Sequence, residues 1–294
     1  MNRRKFIAAG AGAAGLLGVK GRAGAQELRG DQAQGVQPVG AFKLSVSRWP
    51  YHQFTLDQLS QMARELGLDS VELLEPDEWA VPKRYGLTCA MGYATVPDPG
   101  TRLTQGFNRV SNHAWLIPAY TRAIPLAAAA GVPNLICFSG SRGGIDDVEG
   151  RETCARGLAP LIPLAEHHGV TLCMELLNSR QDHPDYQCDH TTWGVALAKQ
   201  ISSERFKLLY DIYHMQIMEG DVIRTIRDNH QYIGHFHTGG VPGRHEIDET
   251  QELNYPAIMR AIAGTGFTGY VAQEFVPTRD PRTSLAEAVR LCRV

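Results

Sequence analysis

The sequence predicts an α/β protein folded as a single-domain (β/α)8 TIM barrel. Three observations carry that expectation. Eight short apolar runs, each bounded by turn residues, alternate with longer amphipathic segments, which is the pattern of a parallel sheet connected through helices. No break in composition divides residues 41–294, and a chain of 294 residues that is 43% hydrophobic can bury one large core. An open doubly wound sheet would show G-x-G-x-x-G after its first strand, and the sequence has no such fingerprint there.

In chain order the predicted strands are 43–49 (KLSVSRW), 70–75 (SVELLE), 87–93 (LTCAMGY), 134–140 (NLICFSG), 170–178 (VTLCMELLN), 207–213 (KLLYDIY), 233–239 (IGHFHTG) and 270–275 (YVAQEF). The amphipathic segments between them predict helices over 55–66, 113–130, 152–168, 191–200, 221–229, 256–263 and 284–293, with a weaker one over 77–85. Gly67, Gly86, Gly131, Gly169, Gly266 and Gly269 precede strands, as helix C-caps at the bottom of a barrel would. Residues 94–112 form a long polar connection after the third strand, on the catalytic face, and are expected to act as a lid.

The first 25 residues read as targeting. Arg3 and Arg4 precede Lys5-Phe6 and an apolar Ala/Gly/Leu-rich stretch ending near Val19, and Ala23-Gly24-Ala25 supplies the small residues of a cleavage site before Gln26. The twin arginine resembles a Tat signal and predicts periplasmic export of a folded, metal-loaded protein. The apolar run is too short and Gly-rich to span a membrane. Residues 26–40, polar and Gly/Gln-rich, are expected to form a flexible leader to the barrel at 41–294.

A net charge of -2 without a dense Lys/Arg block leaves no electrostatic footprint for nucleic acid. The expected partner is a small molecule, and self-association into a homo-oligomer is left open. Cys89, Cys137, Cys154, Cys173, Cys188 and Cys292 show no C-x-x-C pairing, which predicts buried free thiols.

Function enters through four side chains near the ends of the last four strands: Glu175 in LCMELLN, Asp211 in LLYDIYHMQ, His237 in IGHFHTGG and Glu274 in YVAQEFVP. The C-terminal ends of barrel strands converge on one mouth, so residues distant in sequence meet there. Any one of them alone reads more simply as an ion-pair partner or a helix cap. On four consecutive strands they read as one metal site, because a carboxylate inside an apolar run needs a cation or a full set of hydrogen bonds. Three carboxylates and one imidazole make a hard, oxygen-rich set that favours Mn2+, Mg2+ or Co2+ over structural zinc. Mn2+ is the first choice because of the imidazole.

The segments LLYDIYHMQIMEGD, IGHFHTGGVPGRHEIDETQELNYP and YVAQEF resemble the hydroxypyruvate isomerase family within the xylose isomerase-like barrels, which also hold ketose 3-epimerases and endonuclease IV. The resemblance is specific from about Val170 to Pro277 and general before that. It implies that Glu175, Asp211, His237 and Glu274 are metal ligands and that Glu175 and Glu274 are also the catalytic acid/base pair. It further implies substrate contacts from His214, after the sixth strand, and from Arg244, in the loop after the seventh. Isomerising a hydroxy-carbonyl compound moves a carbon-bound proton through a cis-enediolate, which needs a carboxylate to carry the proton and a cation to hold the oxygens.

Other polar and aromatic residues take lesser roles. His235 is expected to turn away from the site, and Glu72 either to stand behind it or to form an outward ion pair. His245-Glu246 and Asp248-Glu249 read as a polar loop framing the mouth. Trp49, His52, Trp79 and Trp115 read as walls or packing. Gly239, Gly240 and Gly243 read as a sharp turn rather than a phosphate cradle.

Two features depart from hydroxypyruvate isomerases. They usually carry Gln where His237 stands, whereas ketose 3-epimerases carry His, and export favours free sugars or keto-sugars as substrates. A 3-keto-glycoside lyase on the same scaffold is the nearest rival activity. An endonuclease IV-like phosphodiesterase lacks its richer ligand set and basic groove here, and a non-catalytic binding protein would not need both Glu175 and Glu274.

Overall fold

A computed structural model of the protein describes residues 42–294, so the expected signal peptide and leader lie outside the described residues. Eight parallel strands are present: β1 (Lys43–Ser47), β2 (Ser70–Glu72), β3 (Met91–Gly92), β4 (Asn134–Cys137), β5 (Thr171–Glu175), β6 (Phe206–Asp211), β7 (Ile233–Thr238) and β8 (Tyr270–Gln273). They run β2-β1-β8-β7-β6-β5-β4-β3, and the isolated parallel bridges Ser70 to Thr88 and Leu74 to Gly92 join the two ends into a nearly closed barrel. Every predicted strand is found.

The helices follow their sequence signals with three exceptions. Thr55 caps α1 (Leu56–Glu65) through a capping box, accepting from Gln58 N at 3.1 Å while Gln58 Oε1 accepts from Thr55 N at 2.8 Å. The chain continues through α2 (Val110–Ala130), α3 (Asp147–Leu158), α4 (Ile162–His168), α5 (Thr191–Ile201), α6 (Ile212–Met218), α7 (Val222–Asn229), α8 (Tyr255–Gly264) and α9 (Pro281–Cys292). The single helix expected over 152–168 is two, α3 and α4, parted by a 3-10 turn at Ala159–Leu161 where Pro160 and Pro163 remove backbone donors. The weak helix over 77–85 is a run of turns and a short 3-10 helix at Pro82–Tyr85. α6 begins inside the run expected to be strand up to residue 213, because the Asp211 side chain caps it; an apolar I-Y-H-M run does not separate strand from helix by period. Among the described residues no helix is long and apolar enough to cross a membrane. All six cysteines are buried and free, as expected.

One irregularity in the sheet sets the site. Leu208 pairs with Ile233, but Leu209 pairs with His235, so Gly234 is an extra residue in β7. A Cβ at Gly234 would lie 2.8 Å from Lys207 Cβ, which leaves room for glycine alone without a backbone shift. Beyond the bulge Asp211 stands in register with His237, and Tyr210 with Phe236. Side chains alternate across a strand, so Asp211 and His237 share the barrel interior while Tyr210 and Phe236 face the helices.

Residues 94–112 pack as part of the wall. Gly106 lies against the backbone of β4's exit, where a Cβ would sit 2.3 Å from Ser139 C, and buried Asn108 donates to Ser141 O and Gln187 Oε1, each at 2.7 Å. That pins the second half of the connection to the barrel top.

Candidate active site

The four expected ligand residues converge. Glu175 ends β5, Asp211 ends β6, His237 lies near the end of β7 and Glu274 follows β8. One ligand atom from each lies within 4.8 Å of the others, and all four side chains are buried. His237 Nδ1 is 2.7 Å from Glu274 Oε2 and 3.3 Å from Glu175 Oε1, in neither case with the alignment of a hydrogen bond. Asp211 divides its oxygens: Oδ1 accepts from Tyr213 N at 2.8 Å and His214 N at 3.2 Å, and Oδ2 accepts from Arg244 Nη2 at 2.9 Å. Arg244 Nη2 also donates to Glu274 Oε2, and Trp49 Nε1 donates to Glu274 Oε1 at 2.7 Å.

The charges are crowded, and burial separates them. Burial raises the Glu175 carboxyl, and it raises Asp211 to about 7 against the pull of Arg244. Burial acts on Glu274 too, but His237 and Arg244 outweigh it and hold that carboxylate well below its ordinary range. Burial would lower His237, yet Glu274, Glu175 and Glu72 together push it well above its ordinary value. A divalent cation in this cluster would favour all three ionised carboxylates. The donor set fits such an ion: three hard oxygens and one ring nitrogen, Nδ1, that makes no hydrogen bond.

A cavity of about 340 Å3 opens above the cluster. Of the four cluster residues Glu175 and Glu274 line it, with Arg244 and Trp49 beside them. Leu73, Tyr93, Leu103, Ile136, Phe138 and Leu177 supply its apolar lining, and Pro99, Gly100 and Arg102 of the 94–112 connection also line it. Arg102 lies over the Tyr93 ring at 4.2 Å and pairs with Glu75. Two residues of the lining take left-handed backbone conformations that side chains disfavour, Leu73 at φ 58° and Arg244 at φ 59°.

Several expectations change in three dimensions. His235 does not turn away: residues two apart on a strand share a face, and His235 Nε2 and His237 Nε2 each lie 2.9 Å from Glu72 Oε1. Glu72 points inward, fully buried, behind the cluster. His214 is buried and does not line the cavity; His183, whose ring centroid is 5.2 Å from that of His214, does. Asn178 Oδ1 accepts from Gln181 N and Asp182 N, so its Nδ2 donates to His214 Nδ1 at 2.6 Å and the His214 proton sits on Nε2. Among the described residues that Nε2 has no hydrogen-bond partner, and it lies 3.6 Å from Asp211 Oδ2. Of the aromatics, Trp49 touches the cluster, Trp79 packs beneath Gly92 with Nε1 donating to Leu74 O, and Trp115 packs on the core. Gly240 serves a turn, since a Cβ there would meet Glu246 O at 2.2 Å. Glu246 takes hydrogen bonds from Thr278, Arg279 N and Ser284 and does not line the cavity. Tyr93, Arg102 and His183 were not singled out as site residues: Tyr93 ends the third predicted strand, and Arg102 and His183 lie in connections whose course the strand pattern does not set.

The model of the xylose isomerase-like TIM barrel family matches residues 32–293. The chain belongs to the xylose isomerase-like TIM barrel family. Within it, the sequence is 36% identical to the 2-oxo-tetronate isomerase of Cupriavidus necator over 127 residues, 43% of this chain and 48% of that protein. It is 28% identical to the hydroxypyruvate isomerase of Escherichia coli over 156 residues, 53% of this chain and 60% of that protein. The alignments thus span about half of each relative's length. Among solved structures, an AP endonuclease of family 2 from Brucella melitensis superposes with a TM-score of 0.76 at 25% identity, covering 84% of this chain and 98% of that one. A D-psicose 3-epimerase shares the fold with a TM-score of 0.66 at 19% identity, covering 84% of this chain and 90% of that one.

Proposed function

We propose that this xylose isomerase-like barrel is an isomerase or epimerase of a small hydroxy-carbonyl compound, working with a divalent metal held by Glu175, Asp211, His237 and Glu274. One observation carries the reading: of four clustered ligand residues, Glu175 and Glu274 are the two that line the cavity. They can therefore touch substrate as well as a metal. The sequence relatives named as isomerases of 2-oxo-tetronate and hydroxypyruvate support the reaction class.

The ion, when bound, would hold the substrate oxygens and take up their developing negative charge. Mn2+ suits the donor set first, with Mg2+ or Co2+ as substitutes. Glu274, kept ionised by His237 and Arg244, is the base that removes the carbon-bound proton, and Glu175, whose carboxyl burial raises, is the acid that returns one. Proton return to the neighbouring carbon through a cis-enediolate gives aldose–ketose isomerisation; return to the same carbon from the opposite side gives epimerisation. Arg244 steers an oxygen of the substrate beside Glu274, while His214, which does not line the cavity, stands behind with its Nε2 toward Asp211. Trp49 Nε1–H fixes the Glu274 carboxylate. Residues 99–103 close the cavity as a lid that excludes water.

The reading is tested by removing metal with EDTA, adding back Mn2+, and following solvent deuterium into hydroxypyruvate, free ketoses and aldoses. Activity lost and restored, with deuterium incorporated, is expected; full activity in EDTA, or no exchange with any hydroxy-carbonyl compound, sinks it. Product analysis separates the 3-keto-glycoside lyase, which eliminates after the same proton abstraction. Cleavage of abasic DNA would favour the phosphodiester reading that the name of the Brucella structure raises, but a net charge of -2 without a dense Lys/Arg block gives a polyanion little to hold. The Arg3-Arg4 segment leads us to place the enzyme in the periplasm, and its appearance in that fraction, dependent on both arginines, checks the assignment.

A further inference from the structure

Beneath the cluster lies a second buried group, Glu72 of β2 with His235 and His237 of β7, of which the proposed reaction uses only His237. All three are fully buried, and Glu72 Oε1 stands 2.9 Å from Nε2 of both imidazoles. Among the described residues Glu72 Oε2 and His235 Nδ1 have no partner. A carboxylate accepts and does not donate when ionised, so each of these nitrogens must carry its proton. With the Nε2 proton held by Glu72, the Nδ1 proton is the one His237 gives up when a cation binds, and the ring then presents a lone pair at Nδ1, the nitrogen 2.7 Å from Glu274 and 3.3 Å from Glu175. We propose that Glu72 is a positioning residue: it selects the His237 tautomer and fixes the ring plane so that Nδ1 faces the metal, and His235 holds the same Glu72 oxygen from the adjacent position.

A second metal on Glu72, His235 and His237 is the competing use of these atoms. It would need the proton of His237 Nε2 removed while Nδ1 binds the first metal, turning the ring into a bridging anion. Hydrogen bonds of 2.9 Å account for the same distances with ordinary protonation.

The inference rests on the metal reading above, and the experiment separates their failures. Glu72→Gln keeps the shape but drops the charge, and Glu72→Leu also removes the acceptor. Nitrogen NMR of histidine-labelled protein, recorded on the alkaline side of the raised His237 transition and with the His237 signals assigned by their loss in His237→Gln, reads the tautomer of the metal-free protein. Mn2+ titration by calorimetry reads affinity and stoichiometry. Wild type should show a single Nε2–H tautomer and bind one Mn2+; Glu72→Leu should mix the tautomers and lose about 10- to 100-fold in affinity, with Glu72→Gln intermediate. A Glu72→Leu protein with the wild-type tautomer, or with Mn2+ affinity within about twofold of wild type, overturns the proposal, as does a stoichiometry of two. Should Glu72→Leu fail to fold, an unchanged Mn2+ affinity in Glu72→Gln overturns it alone. If wild type binds no Mn2+, the metal reading fails, and the tautomer comparison still decides whether Glu72 orients His237.

Discussion

Asp211 faces His237 across the β6–β7 ladder because Gly234 takes up one residue of β7 between them and the start of the pairing. Without the extra residue Asp211 would stand opposite Phe236, and the imidazole would be turned to the helices. The meeting of two of the four cluster residues thus depends on a residue with no side chain.

Gly234→Ala tests that dependence. The new Cβ meets Lys207 Cβ at 2.8 Å, so the bulge must relax or the strand shift. The variant should lose about 1–3 kcal/mol of stability and about tenfold in Mn2+ affinity, read by thermal melts and calorimetry. A variant that melts lower but binds Mn2+ like wild type would show that the bulge serves packing alone.

Glu175→Gln and Glu274→Gln should each lower kcat by about 10²- to 10⁴-fold when assayed at saturating Mn2+. Both should stop solvent deuterium from entering the product. Exchange that persists in either variant would remove that residue from the proton path.

Arg244 holds Asp211 and Glu274 with one nitrogen, and its neighbours keep it firmly protonated. Arg244→Met leaves two buried carboxylates without that cation, so the EDTA-treated protein should lose about 3–5 kcal/mol. Added Mn2+ should recover much of the loss, since it supplies charge to the same oxygens. Equal losses with and without Mn2+ would place Arg244 outside the cluster's charge balance.

Glu246 gives a pH signature away from the metal. Burial would raise its carboxyl, but the hydrogen bonds from Ser284, Thr278 and the backbone hold it at about 2. A folded value below the ordinary 4.5 means its stabilisation is complete above pH 4.5 and is lost as the pH falls toward 2. The full effect is on the order of 3 kcal/mol. Glu246→Gln should therefore lower stability near pH 7 and flatten the acid limb of a stability–pH curve; an unchanged acid limb would refute the assignment.

The eight strands and the four ligand candidates were legible in the sequence, because strands buried in a parallel sheet read as short apolar runs and a charge at the end of such a run stands out against them. The split of α3 from α4 was written in Pro160 and Pro163, yet the amphipathic pattern carried straight across it. α6 stayed hidden because its first turn is as apolar as the strand before it, and the cap that starts it is the same Asp211 that serves the site.

The chain by itself determined the barrel, its strand order and which side chains near the strand ends carry charge, since these follow from local hydrophobic period and residue type. Only the tertiary structure decided which of them meet. Glu72 and His235 stand on strands 163 residues apart, and their contact with each other exists because β2 and β7 send side chains into one barrel interior. Whether Glu175 and Glu274 rather than Asp211 and His237 reach the cavity, and whether His183 rather than His214 lines it, depended on loop paths and a one-residue bulge. Hydrophobic period sets which residues are buried; packing in three dimensions sets whom each buried charge must face.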